Sequence, residues 1–171
     1  FSGKQKILYT NNSPDTISKV YYHLFFNAFR PGSQMDVRSR TIQDPDRRVG
    51  SRIFGLEKKD FGALSVSSLE QDGKETNYSE SETLLVVRLN KPLFPGKKTE
   101  LEMVFNGQVP LQIRRSGKLN KEGVRLTMTQ WFPKLAEYDF EGWHPNPYIG
   151  REFHGVWGNY TVNITIDKNY V

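Results

Sequence analysis

Cysteine is absent from the 171 residues. Disulfides, thiolate nucleophiles and cysteine-ligated zinc are excluded together. The compartment stays open, because proteins of oxidising compartments often lack disulfides too. Long apolar runs are also missing. No stretch approaches the roughly 18 apolar residues of a membrane span, and no signal-peptide pattern opens the chain. Histidine occurs three times, at His23, His144 and His154. His144 and His154 lie too far apart for a helical ligand pair, and neither H-E-x-x-H nor G-x-S-x-G occurs. Gly96-Lys97-Lys98-Thr99 lacks the upstream glycine of a phosphate loop and falls in a hairpin turn. Asp139 and Glu141 are two acids in a loop, a pair that is ordinarily just solvated. No nucleophile stands beside a base, so this chain reads as non-catalytic, with no metal site or cofactor of its own.

Hydrophobic residues make up 36% of the chain, of which aromatics supply 13%. A core under such a composition is built largely from rings. The length suffices for one domain. Net charge is +5, carried entirely by the first third: residues 1–60 hold 11 Lys/Arg against 6 Asp/Glu, and residues 61–171 hold 13 of each. A local surplus of this size fits a solvated face better than a nucleic-acid surface, which would also need Arg114, Arg115, Lys118 and Lys121 near aromatics.

Strand patterns dominate. Residues 4–10 read as a strand, followed by the turn cluster Asn11-Asn12-Ser13-Pro14-Asp15, where Asn and Asp bond nearby backbone. Residues 17–28 read as one long strand, apolar on both faces and therefore central. His23 inside it is expected to be buried and satisfied. Residues 30–61 break the pattern with short helical turns, with Asp44 or Asp46 as caps. Further strands are expected at 63–70, 83–89, 99–106, 109–114, 124–130 and 159–167. Leu101, Met103 and Phe105 should point inward, and Tyr160, Val162, Ile164 and Ile166 should share one face. The fold class this implies is all-β: a sandwich of mostly antiparallel strands with a short helical or irregular insertion around residues 33–60. The chain is read as one domain over residues 1–171. It opens at Phe1 and ends at Val171 beside strand-like runs, as a segment of a longer polypeptide would.

Residues 125–160 have no regular period, yet hold Trp131, Trp143 and Trp157. Segments this aromatic are ordered, and ordered loops on a scaffold are where binding concentrates. Two readings stay open on the residues alone. Exposed tryptophans would make a sugar-stacking platform, as in a carbohydrate-binding module. Alternatively at least two of the three rings plug the core.

Three segments together resemble a known family. They are NNSPDT with VYYHLFFNAFRPGS, then QVPLQIRRSGKLNKEGV, then LTMTQWFPKLAEYDFEGWHPNPYIGREFHGVWGNYTVNITIDKNYV. Nearly the whole chain resembles the amino-terminal domain of bacterial zinc metallopeptidases of the aminopeptidase N and leukotriene-hydrolase type, in the branch found in Bacteroidetes-like bacteria. The resemblance implies a saddle-like β-sandwich that packs on a gluzincin catalytic domain of the same polypeptide. That domain would hold the zinc, H-E-x-x-H and G-x-M-E-N beyond Val171, and the protein would be periplasmic or secreted. It also implies a loop lent to the peptide-substrate cleft. Gln130 matches the family's glutamine that reaches the substrate's amino end, and Trp131 and Phe132 would wall a side-chain pocket beside it. Position 132 is Phe where the family often has Glu, so the amine-anchoring acid is missing at that spacing. Residues 142–157 are expected to be a packing plug, and an apolar surface is expected beside Gln130, where the partner domain would sit.

Overall fold

Alternation along residues 98–108 builds the first sheet. Leu101, Met103 and Phe105 are buried, while Glu102, Val104 and Asn106 face outward. In a computed structural model, which describes residues 1–42, 46–150 and 155–170, this strand is the centre of one of two antiparallel sheets. The main strands are β1 (Ser2–Thr10), β2 (Ile17–His23), β3 (Ala63–Gln71), β4 (Lys74–Glu75), β5 (Tyr78–Ser81), β6 (Leu84–Leu93) and β7 (Lys98–Gln108). Two-residue pieces follow: β8 (Gly117–Lys118), β9 (Leu126–Thr127), β10 (Lys134–Leu135), β11 (Tyr138–Asp139) and β12 (Gly142–Trp143). One sheet runs β1-β7-β3-β4 and the other β10-β2-β6-β5; β8 pairs with β9, and β11 with β12.

The two four-stranded sheets bury a common core. Val20, Tyr22, Leu85 and Val87 come from one sheet, and Leu64, Leu69, Leu101, Met103 and Phe105 from the other. Each such side chain contributes roughly 1.5–3 kcal/mol on burial. The fold is therefore the all-β sandwich the pattern predicts. On the outer face of β1, Lys4 and Lys6 meet Glu102 and Glu100 at 2.9–3.1 Å, contacts too solvated to contribute much.

The long strand expected over residues 17–28 stops at His23. The chain then turns through a 3-10 segment, Phe25–Ala28. Residues 20–26 look apolar on both faces for this reason: Phe26 joins the main core, while Phe25, Ala28 and Phe29 enter a second cluster with Met35, Val49, Ile53, Ile113 and Tyr148. The insertion around residues 33–60 covers that second cluster. Its helix α1 (Gln34–Thr41) is capped by Ser33, whose Oγ accepts from Asp36 N–H. Asp36 in turn accepts from Gly32 N–H and is paired to Arg40. Asp46 initiates a separate turn, accepting from Arg48 N–H at 3.0 Å; Asp44 lies outside the described residues.

Three expected strands are reduced or missing. Residues 109–114 contribute only a bridge between Leu111 and Lys118. Of residues 124–130 only β9 forms a ladder, and the backbone turns left-handed at Gln130. Residues 159–167 make no ladder, and Tyr160, Val162, Ile164 and Ile166 are all exposed. An amphipathic strand forms only where an edge is present to receive it.

The turn after β1 is held by a fully buried Asn11. Its Nδ2 donates to Asp15 O at 2.7 Å and to Leu93 O at 3.0 Å, and its Oδ1 accepts from Ser13 N and Oγ. Asn11→Ala strands these groups and is expected to cost about 1–3 kcal/mol, read as a lower urea midpoint with an unchanged slope.

Candidate functional site

Gln130 is one of four non-glycine residues with positive φ among those described, at +57°. A side chain in that region costs of order 1–3 kcal/mol and persists only where neighbours over-determine it. Here the neighbours lie on both sides. Before it, Thr129 is bonded through N–H, C=O and Oγ1 to the Oγ of Ser116. After it, the Trp131 ring is set among Phe1 at 5.9 Å, Phe105 at 6.1 Å and Phe132 at 5.5 Å between centroids. Pro133 is buried, and β10 then joins the sheet with Leu135 opposite Tyr22 and Lys134 opposite His23. The segment 129–132 is thus a sharp bend anchored at both ends on the sandwich.

The bend presents an unspent donor. Gln130 Nε2 is shielded from solvent and makes no hydrogen bond. An amide nitrogen in that state costs about 1–3 kcal/mol. Trp131 and Phe132 are half-buried against the core, so they serve as packing as much as pocket wall. Phe132 also meets the Tyr160 ring at 6.3 Å. From there Tyr160, Val162, Ile164 and Ile166 follow as exposed apolar residues. Residues 155–166 carry no charge.

The three tryptophans are separated. Trp143 lies in its own ring cluster with Tyr9, Tyr21 and Tyr138, and with Tyr148, buried against Phe25, it forms the expected plug. Trp157 departs from that expectation: it is 96% exposed. With two indoles packed in different places, a shared stacking platform is not formed. Part of the basic cluster is engaged internally. Arg40 and Arg48 pair with Asp36 and Asp46, Arg52 donates to Gln112 O and Ile113 O, and Arg114 contacts Gly150 O, Asp46 and the Tyr148 ring.

One metal-ligand type of grouping occurs among the described residues. Ligand atoms of Asp139, Glu141 and His144 lie within 4.8 Å of one another on the β11–β12 hairpin. Both Asp139 oxygens are already engaged there: Oδ1 accepts from Glu141 N–H at 2.8 Å and Oδ2 lies 2.7 Å from His144 Nε2. The trio serves its own hairpin, and no zinc chemistry is assigned to it. His154 lies outside the described residues. Among those described, no helix is long and apolar enough to cross a membrane.

Sequence reasoning singled out Gln130 through its resemblance motif but read residues 124–130 as a strand rather than a bend, and it missed Ser116, which sits in a polar loop with no signal beyond a neighbouring glycine. Gly117 has no room for a Cβ, since Gln112 packs directly on it.

No protein-family model and no curated protein matches the chain. Among solved structures it is similar to M1 zinc metallopeptidases. The enzyme from Deinococcus radiodurans aligns with a TM-score of 0.45 and 15% identity, over 77% of this chain and 24% of that one. A complex of the D. radiodurans enzyme with a Tyr-Ser-Ala substrate aligns at TM-score 0.45 and 16% identity, with the same coverage. A two-domain M1 zinc metallopeptidase bound to L-tryptophan gives 0.45 and 15%. The chain thus spans about a quarter of the length of these enzymes. Likeness this loose transfers neither residues nor chemistry.

Proposed function

We propose that this chain is the non-catalytic amino-terminal β-sandwich of a zinc metallopeptidase of aminopeptidase type. It braces the catalytic domain of the same polypeptide and lends Gln130, Trp131 and Phe132 to the edge of the peptide cleft. The observation that carries the reading is Gln130: a left-handed residue with a buried, unsatisfied donor, at the position the family motif assigns to substrate contact. A side-chain amide offers both a donor for a peptide carbonyl and an acceptor for an ammonium. The exposed apolar residues Tyr160, Val162, Ile164 and Ile166 support the placement beside another domain. Zinc belongs to that other domain, which would supply the Lewis acid; this chain's part is to bind and orient. With Phe at position 132, only the amide is left here to meet the substrate's amino end.

The full-length polypeptide tests this. It should hold one zinc per chain and release amino acids from aminoacyl p-nitroanilides. Gln130→Ala should raise KM about tenfold, the equivalent of one hydrogen bond, with kcat little changed. A polypeptide without H-E-x-x-H, or a Gln130→Ala enzyme with wild-type KM, would sink the proposal.

A further inference from the structure

We infer that Ser116 is a positioning residue for Gln130, an inference that rests on the cleft role proposed above. A serine hydroxyl has one proton to give and two lone pairs to accept with. At Ser116 all three meet one residue. Its O–H donates to Thr129 C=O, and its oxygen accepts Thr129 N–H at 3.0 Å and the Thr129 hydroxyl. Ser116 is buried while Thr129 reaches the surface, so the serine is the fixed side of the contact. No other side chain fixes residue 129 among the described hydrogen bonds.

The pin is itself fixed. Two residues earlier, Arg114 is buried and bound to Gly150 O and Asp46. One residue later, β8 pairs with β9, Gly117 opposite Thr127, and Gln112 closes on Gly117. Ser116 thus ties Thr129 to a loop that cannot drift. Trp131, wedged among three phenylalanine rings, holds the other side. Held between these two neighbours, the backbone at residue 130 is kept at φ +57°, with the Gln130 amide donor unpaired. A serine that only satisfied buried backbone would matter to stability; one that positions Gln130 matters to substrate binding as well.

Two measurements separate these roles. In the 171-residue chain, Ser116→Ala should speed hydrogen exchange at the Thr129 amide and shift the Gln130 side-chain NH2 resonances. In the full-length polypeptide, with leucine p-nitroanilide as the probe, Ser116→Ala should raise KM about tenfold while kcat stays within about twofold, matching Gln130→Ala. Ser116→Thr, which keeps the hydroxyl, should restore KM. If Ser116→Ala does not fold, Thr129→Val removes one of the three bonds and should move KM the same way by less. Unmoved Gln130 resonances overturn the inference whatever the enzyme does. Moved resonances with an unchanged KM, where Gln130→Ala does raise KM, overturn it while leaving the cleft reading intact. An unchanged KM in Gln130→Ala itself removes the cleft reading and this inference with it.

Discussion

Lowering the pH from 6.5 to 4 is expected to cost the fold about 3 kcal/mol through His23 alone. His23 ends β2, is 3% exposed and stacks on Phe25 at 5.1 Å with 16° between planes. Neither ring nitrogen makes a hydrogen bond of good geometry, although the His144 backbone interacts with the ring, so the histidine is buried as expected from sequence but weakly partnered. Burial pushes its pKa down from 6.5 to about 4; Lys134, its partner across β10, adds to this, and the backbone near His144 opposes it without prevailing. The folded state therefore favours the neutral ring. Its contribution is fully present above pH 6.5, falls as pH drops, and levels off below about 4. The depressed carboxylates lose their contributions lower still: Asp46 is held below its usual 3.8, and Glu102 is held near 2 by Lys6 and Lys4. The window between 6.5 and 4 thus reports mainly on His23. Urea unfolding across that window checks it. His23→Phe keeps the stack on Phe25 and should flatten the pH dependence without loss of stability at pH 7.5. An equally steep loss in that variant would place the titrating group elsewhere.

The sandwich was legible because its longest strands carry their own evidence. Leu101, Met103 and Phe105 alternate with outward residues, and a period of two survives any neighbour. Residues 159–167 carry the same alternation and form no strand, because pairing depends on an edge that local sequence does not encode. The run 20–26 misled for a different reason. Two cores meet there, and an apolar residue does not announce which one it enters. At the candidate site the motif located Gln130, while its left-handed φ and idle donor needed the backbone. Ser116 was invisible, since its meaning lies in a contact with Thr129, thirteen residues away.

Phe105→Ala is expected to cost about 3–5 kcal/mol, a large part of the roughly 5–15 kcal/mol that holds a domain together. Phe105 lies opposite Gly3 on β1, and its ring occupies the space a side chain there would fill. Phe1 lies over Gly107 in the same way, strapped by Gly107 N–H to Phe1 O at 2.9 Å. Two glycines thus admit two rings, and Trp131 packs against both, at 6.1 and 5.9 Å. Truncating Phe105 leaves a void under Trp131 that the strapped Phe1 is poorly placed to fill. The loss should appear in urea unfolding. In a Trp157→Phe background, which removes the most exposed indole, emission should also shift to the red as water reaches Trp131. Phe105→Leu, which keeps most of the volume, should cost less than half as much. If Phe105→Ala costs under about 1 kcal/mol with unshifted emission, Trp131 does not rest on this ring. The bend at Gln130 would then be held from the Ser116 side alone. If the full cost appears with red-shifted emission, Trp131 rests on this ring, and the bend at Gln130 is held from the core side as well as by Ser116.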